Sequence, residues 1–182
     1  MTLEKNHSGA VPEVLEGDIT EIPVDVIVNA ANEALLPGGG VCGAIHSVAG
    51  PELAAECRTL GGCRTGSAVA TGAYGLPAKY VIHAVGPVWQ GGFSGEDELL
   101  ANCYRSSIEL ARDLDATSIS FPAISTGTFG FPAERAAAVA TRTLLTEAAG
   151  AGLPEKTMLV CFSPESADTF RRALAERIGG NG

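Results

Sequence analysis

The chain has 182 residues, of which 46% are apolar and 23 are glycine, and no apolar run is long enough to span a membrane. These totals indicate one α/β domain, taken as residues 1–182, with a core that needs no covalent staples. The net charge of −9 argues against general nucleic-acid binding, which requires a basic surface. The N-terminal residues lack a secretory hydrophobic segment, so we expect a cytoplasmic protein.

The cysteines indicate neither a zinc site nor a disulfide framework, because their number is odd and none forms a CxxC pair. We expect reduced, mostly buried thiols, and a monomer without metal or cofactor. The cysteines are Cys42, Cys57, Cys63, Cys103 and Cys161.

Apolar runs predict six strands, at residues 13–16, 25–29, 67–73, 80–84, 118–122 and 157–162. Helical patterns lie between them, and this alternation indicates a mainly parallel sheet covered on both faces. The third and fourth strands are joined by a short loop and form a hairpin or a meander, so we expect a mixed sheet.

Helical spacing predicts a helix over residues 41–60, which should break at Gly50-Pro51 because proline interrupts the backbone ladder. Further helices are predicted over residues 96–114 and 132–149, with Pro132 in the first helical position. Ser163 is the predicted start of a last helix that ends near residue 178. Residues 1–10 and 179–182 are expected to be flexible.

The segment that joins the second strand to the first helix, NAANEALLPGGGVCGAIH (29–46), is the most informative part of the sequence. Three consecutive glycines, Gly38, Gly39 and Gly40, leave their N–H groups unshielded just before a helix N-terminus. Such N–H groups attract anions, since the first N–H groups of a helix lack partners and its dipole favours negative charge. With Asn29 and Asn32 beside it, the segment predicts a site for a phosphate-bearing ligand.

A second loop of small residues, AISTGTFGFP (123–132), follows the fifth strand and precedes a helix. Ligands of open α/β sheets bind at the carboxyl ends of strands, so two such loops are suited to hold a diphosphate from both sides. Neither loop has the glycine spacing of a Rossmann dehydrogenase, and the sequence has no P-loop of an NTPase. The expected contributors are Ser125, Thr126, Gly127 and Thr128, through N–H and hydroxyl groups, and Phe129 or Phe131, through a flat wall for a sugar.

Five motifs resemble a macrodomain of the MacroD type in their order and gaps, and the resemblance extends over about residues 11–170. They are GDIT (17–20), VDVIVNAAN (24–32), GGGVCGAIH (38–46), YVIHAVGP (80–87) and PAISTGTFGFP (122–132). The resemblance implies a three-layer α/β/α sandwich around a six-stranded mixed sheet. It also implies a cleft that binds ADP-ribose.

The resemblance implies a role for each matching residue. Asp18 would accept a hydrogen bond from the adenine amino group, and the Ile19 N–H would reach the ring. Asn32 would hold the distal ribose hydroxyls. Further lining residues would be Gly39, Gly40 and Val41 at the distal ribose and diphosphate, Ser125, Thr126, Gly127, Thr128, Phe129 and Gly130 around the diphosphate, Phe131 against the distal ribose, and Phe162 near adenine.

Enzymes of this type hydrolyse an ester at the distal ribose, either in mono-ADP-ribosylated proteins modified on acidic side chains or in O-acetyl-ADP-ribose. The family's hydrolases usually read GGGVDGAIH, with an aspartate that orients or activates water, and this chain has Cys42 there. A thiol is a poor substitute for a carboxylate base. Related macrodomains with alanine at this position are hydrolases nonetheless, and the substrate's own diphosphate is proposed to position their water.

We therefore expect an ADP-ribosyl hydrolase whose candidate catalytic residues are Asn32, Cys42 and Phe131. A non-catalytic reader of ADP-ribose or of ADP-ribosylated protein is the alternative. A reader whose cleft is blocked by oxidation of Cys42 is a third hypothesis.

Structural roles compete with these assignments. Asn32 also fits a turn residue, Cys42 a small buried filler, and His83 a core histidine. Trp89 and residues 91–97 read as a flexible surface loop at the rim of the cleft.

Overall fold

A computed structural model describes residues 10–180, which form one mixed sheet of six strands between two layers of helices. The strands are β1 (Glu13–Glu16), β2 (Val26–Ala30), β3 (Ala68–Gly72), β4 (Tyr80–Ala84), β5 (Ser118–Phe121) and β6 (Lys156–Cys161). The helices are α1 (Gly40–Ala49), α2 (Pro51–Thr59), α3 (Glu96–Asp113), α4 (Ala133–Ala149) and α5 (Pro164–Gly179), with a short 3₁₀ turn at Ile19–Glu21. The predicted three-layer α/β/α architecture is confirmed.

The strand order is β1-β6-β5-β2-β4-β3, and among the strand pairs of residues 10–180 only that of β3 with β4 is antiparallel. The expected mixed sheet is therefore correct, with its antiparallel strand at one edge. Because the other five strands run in the same direction, their carboxyl ends meet at one edge of the sheet, where the predicted site residues follow them.

Side chains alternate between two cores, one on each face of the sheet. In β2, Val26 and Val28 pack into the core covered by α3, α4 and α5, whereas Ile27 packs into the core covered by α1 and α2. The sheet is thus buried on both faces, as a near-continuous apolar strand such as β2 predicts.

The structure shifts the ends of several predicted elements. Pro132 precedes α4 as its N-cap and is not the first helical residue, because its ψ of 127° is extended. The break between α1 and α2 is confirmed at Gly50, whose φ of 89° favours glycine. Ser163 begins α5 as predicted, since its hydroxyl accepts a hydrogen bond from the Ser166 N–H at 3.2 Å.

The predicted flexible ends lie mostly outside the described residues, which exclude 1–9 and 181–182. Gly179, which was included in the flexible C-terminal end, instead forms the last residue of α5. Within residues 10–180, no helix is long and apolar enough to cross a membrane.

Candidate functional site

Two adjoining cavities open at the carboxyl edge of the sheet. The first has a volume of about 260 Å³ and is lined by Asn32, Cys42 and Phe129 among others. The second has a volume of about 470 Å³ and is lined by Asp18, Ile19 and Phe162 among others. The residues common to both cavities are Gly40, Val41, Ala123 and Gly127. The cavities therefore form one cleft, whose junction lies at the N-terminus of α1.

The N-terminus of α1 supplies free N–H groups to the junction. Gly39 is the N-cap, and no side chain of the described residues caps the helix there. The preceding loop lies close to the helix: a Cβ on Gly43 would be 2.5 Å from the Gly38 carbonyl oxygen. Glycine at position 43 therefore allows the loop to lie against the helix. The helix dipole makes the junction favourable for an anion.

The loop after β5 closes on itself beside the first cavity. The Phe131 N–H donates to the Ser125 carbonyl at 2.9 Å, and the Gly130 N–H donates to the Gly127 carbonyl at 3.0 Å. Ser125 has a φ of 66°, which is uncommon for a residue with a side chain. Its hydroxyl is buried and has no hydrogen-bond partner among residues 10–180.

Gly86, the second residue after β4, allows this loop to approach. A Cβ on Gly86 would overlap the Ser125 hydroxyl and lie 2.7 Å from Ile124 Cγ2. Gly86 was not among the predicted site residues, although it lines the first cavity. Its position two residues after a buried strand, within the motif YVIHAVGP, is the signal that could have identified it.

A buried chain of polar side chains crosses the sheet and ends at Cys42. His83 lies between Thr71 and Asn29, with Nε2 2.9 Å from Thr71 Oγ1 and Nδ1 3.2 Å from Asn29 Nδ2. Because the Thr71 hydroxyl donates to the Gly72 carbonyl, we assign the proton to Nε2, so that Nδ1 accepts from Asn29. Burial, together with the nearby His46, lowers the pKa of His83 to about 4, so the ring is neutral near pH 7.

Cys42 is buried at the wall of the first cavity. Its sulfur accepts from Asn29 Nδ2 at 3.7 Å and donates to the Leu36 carbonyl at 3.7 Å. In the hydrogen bonds of the described residues, His83 contacts Asn29 and not Cys42. No histidine among residues 10–180 forms a hydrogen bond with the Cys42 thiol, so the filler role is closer to the observed geometry than the nucleophile role.

Asn32 lines the first cavity but its side chain is also part of a turn. Its Nδ2 donates to the Leu36 carbonyl at 2.8 Å, and its Oδ1 accepts from the Leu36 N–H at 3.0 Å. The turn role predicted for Asn32 is thus observed, and its place at the first cavity is compatible with the predicted ligand contact. To hold a ligand, the amide would have to share or exchange one of these hydrogen bonds.

Asp18 and Phe162 lie at the second cavity. One carboxylate oxygen of Asp18, Oδ1, accepts from the Thr20 N–H at 2.9 Å and from the Thr20 hydroxyl at 2.7 Å. Phe162 follows β6 and is 86% exposed, which leaves its ring free to cover a flat ligand. An acidic acceptor and an exposed aromatic ring thus line the same cavity.

The family of this chain follows from comparison with known proteins. Residues 28–140 match the family model described as Macro domain. The chain belongs to the macrodomain family. A macrodomain protein of Methanosarcina mazei is 56% identical over 163 residues, covering 90% of this chain and 87% of the relative. A Klebsiella pneumoniae protein named O-acetyl-ADP-ribose deacetylase is 51% identical over 168 residues, covering 90% of this chain and 96% of that relative.

Solved macrodomain structures match the whole fold. A variant of the Oceanobacillus iheyensis macrodomain with ADP-ribose superimposes with a TM-score of 0.88 at 39% identity, covering 91% of this chain and 92% of that one. The Trypanosoma brucei macrodomain in complex with ADP-ribose has a TM-score of 0.80 at 41% identity, and the match covers 88% of this chain and 68% of that one.

Most residues that were predicted to bind the ligand line the macrodomain cleft, but the predicted wall residue Phe131 does not. Phe131 is only 2% exposed and packs into the core against Trp89, with the ring centroids 4.8 Å apart. Phe129, two residues earlier, lines the first cavity instead. Gly130 lies between them and lines neither cavity. The residues found at the cleft are Asp18, Ile19, Asn32, Gly39, Gly40, Val41, Cys42, Ser125, Thr126, Gly127, Thr128, Phe129 and Phe162.

We predict that Gly86→Ala destabilises the fold. The added methyl group would overlap Ser125 and Ile124, and overpacking of this kind costs about 1–3 kcal/mol of unfolding free energy. Thermal unfolding should therefore begin several degrees lower. Gly127→Ala is the matched control, since a Cβ there would meet nothing within 4 Å. Equal melting temperatures for the two variants would contradict the predicted crowding.

We predict that acid weakens the fold through His83. The pKa of His83 is about 4 in the folded state against 6.5 as its ordinary value, so the unfolded chain binds the proton first as pH falls. The contribution of neutral His83 to the free energy of unfolding is fully present above its ordinary pKa of 6.5. This contribution, about 3 kcal/mol in all, is lost as the pH falls toward the folded-state pKa of about 4. Denaturant unfolding across this range measures the loss. His83→Gln should be less stable near pH 7 but should show a flatter pH dependence, and an unchanged slope would contradict the assignment.

Proposed function

We propose that this macrodomain binds ADP-ribose and hydrolyses an ester at the distal ribose. The observation that carries the proposal is the junction of the two cavities, where the uncapped N-terminus of α1 meets the loop after β5. A diphosphate at that junction would leave one cavity for each end of the ligand. The solved relatives with ADP-ribose, and the relative named O-acetyl-ADP-ribose deacetylase, support this choice of ligand and reaction.

The chemistry of the two cavities favours one orientation of the ligand. Asp18 and the exposed ring of Phe162 suit adenine, which offers an amino donor and a flat face. Asn32 and Phe129 suit the distal ribose, which offers hydroxyl groups and an apolar ring edge. Since the chain carries a net charge of −9, the N–H groups of α1 and of the loop must attract the diphosphate locally.

The reaction would proceed by addition of water to the ester carbonyl carbon. The bond from that carbon to the ribose oxygen then breaks, which releases a carboxylic acid and restores the ribose hydroxyl. Cys42 is unsuited to be the base, because its thiol donates to the Leu36 carbonyl and its sulfur accepts from Asn29. We assign the orientation of ester and water to Asn32, to the two loops and to the diphosphate oxygens of the substrate.

The substrates would be O-acetyl-ADP-ribose and proteins that carry one ADP-ribose on an acidic side chain. Both contain a carboxylic ester of the distal ribose, so one arrangement of water and ester serves both. The second cavity and the junction would contact only the part that the two substrates share. Discrimination between them must then arise at the first cavity, where the acyl group would lie.

A non-catalytic reader remains the second candidate function. The observation that favours it is Cys42 itself, which occupies the position of the usual aspartate and is held by Asn29 and Leu36. Replacing a carboxylate by a thiol removes an acceptor for water, whereas the cavities that would bind the ligand are unaffected. Turnover and affinity therefore separate the two functions.

We predict that Cys42→Asp accelerates ester hydrolysis by roughly tenfold or more while the affinity for ADP-ribose stays within a few fold, because a positioned general base contributes at least that much. Asn29 Nδ2, which already points at the Cys42 sulfur, would donate to the new carboxylate. The measurement is single-turnover release of acetate from O-acetyl-ADP-ribose, with calorimetry on the same samples.

Cys63→Asp is the matched control, since Cys63 is half-buried and lines neither cavity. Turnover by the unmodified protein supports the hydrolase. Binding without turnover, followed by a gain of turnover in Cys42→Asp, identifies a reader. Binding of ADP-ribose by neither protein would contradict both functions.

A further inference from the structure

The loop between β4 and α3 is folded around a buried carboxylate. Glu96, the first residue of α3, is 2% exposed. Its Oε1 accepts from the Gln90 N–H at 2.9 Å and from the Gly92 N–H at 3.1 Å, and its Oε2 accepts from the Ser94 N–H at 2.7 Å. The glycine-rich segment after Trp89, which was predicted to be flexible, is therefore held to the Glu96 side chain by three hydrogen bonds.

Glu96 is charged throughout the ordinary pH range. Burial raises its pKa, but the hydrogen bonds from its own N–H and from those of Gly92, Ser94 and Gln90 outweigh burial and lower the pKa to about 2. Hydrogen bonds to a charged acceptor are about twice as strong as those between neutral groups. The three N–H groups therefore bind a charged acceptor, and an uncharged side chain of the same shape would hold the loop more weakly.

The anchored loop carries part of the cleft wall. The Trp89 N–H donates to the Phe129 carbonyl at 2.8 Å, and Phe129 lines the first cavity. The Trp89 ring also packs against Phe131, which lies at the end of the loop after β5 that contains Phe129. Trp89 therefore holds Phe129 through the backbone and Phe131 through its side chain.

Arg135 packs between the anchored loop and α3. Its guanidinium carbon lies 5.0 Å from the Trp89 ring, and its Nε and Nη2 donate to the two carboxylate oxygens of Asp97 at 2.8 and 3.1 Å. Gly92 lies against both side chains, because a Cβ there would be 2.7 Å from Arg135 Nη1 and 2.8 Å from the Trp89 ring. The part of the loop that Glu96 anchors is therefore in contact with Trp89.

We propose that Glu96 is a positioning residue that sets the location of Phe129 in the first cavity, and through it the fit of the distal ribose. The inference rests on the proposed function for its ligand, but the positioning itself is a property of the chain. Glu96 lines neither cavity and acts through Trp89. The second cavity is lined neither by Phe129 nor by any residue of the loop between β4 and α3. Binding of the adenosine end of the ligand should therefore be insensitive to a change at Glu96.

The test is Glu96→Gln, which keeps the size of the side chain but turns an amide NH₂ toward one of the three N–H donors. The affinity for ADP-ribose should fall by roughly tenfold, as expected when hydrogen bonds to a buried charge are lost. The affinity for AMP, which lacks the distal ribose, should change by less than about twofold. Glu98→Gln is the matched control on the same helix, because Glu98 is exposed and its carboxylate, among residues 10–180, accepts hydrogen bonds from Arg105 alone.

Backbone NMR gives a readout that needs no ligand. In Glu96→Gln the amide resonances of Thr128, Phe129 and Gly130 should move, while those of Asp18 and Ile19 stay in place. Trp89→Leu, which keeps Glu96 but removes the ring that packs on Phe131, should reproduce the loss for ADP-ribose if Glu96→Gln does not fold.

Equal losses for ADP-ribose and AMP would show that Glu96 merely stabilises the domain, and no loss would show that the loop does not position Phe129. Either result, or unchanged resonances at residues 128–130, overturns the inference. Failure of the unmodified protein to bind ADP-ribose would contradict the proposed function instead. The amide resonances of residues 128–130 in Glu96→Gln would then be the test of whether Glu96 positions Phe129.

Discussion

Two close backbone approaches at the carboxyl edge of the sheet determine the shape of the cleft. At the first, Gly43 lets the loop of Gly38 lie directly against the N-terminus of α1. At the second, Gly86 lets Ser125 reach the end of β4. A side chain at either glycine would push one loop away from the sheet, and the junction between the two cavities would lose its shape. The N–H groups at the junction can act together only because both approaches are possible.

The cleft also depends on polar groups that lie behind its walls. Asn29 holds Cys42 from the sheet side and is itself held by His83, whose low pKa keeps the ring neutral and able to accept. Glu96 has the corresponding role on the other side, where its charge fixes the loop that supports Phe129. These groups bury charge or polarity at some cost in stability. The side-chain polar atoms of His83 and Glu96 have hydrogen-bond partners, whereas Oδ1 of Asn29 is buried without one among residues 10–180. The hydrogen bonds that these groups do form hold the walls of the cleft in place.

The fold and the location of the site could be predicted from the sequence because their signals are local. A buried strand such as β2 is evident from its apolar run, and the glycine run at the start of a predicted helix favours an anion site there. Once the strands are parallel, their carboxyl ends must meet, so the two glycine loops had to lie on the same edge.

The details that the sequence could not predict depend on contacts between distant segments. Phe129 and Phe131 are chemically identical, and the left-handed backbone at Ser125 and the packing of Trp89 decide which of them faces the cavity. The loop after Trp89 contains glycines typical of a flexible segment, and its order comes from a carboxylate that becomes buried only when the chain folds. The bonds from Asn32 to Leu36 likewise depend on the path of a turn.

The most direct test of the central claim is single-turnover hydrolysis of O-acetyl-ADP-ribose by the unmodified protein and by Asn32→Ala, with calorimetric titration of ADP-ribose on the same samples. The account predicts that the unmodified protein releases acetate, and that Asn32→Ala loses most of this activity while it keeps most of its affinity for ADP-ribose. Tight binding by both proteins, with no release above the background of the variant, would contradict the assignment of catalysis to this cleft.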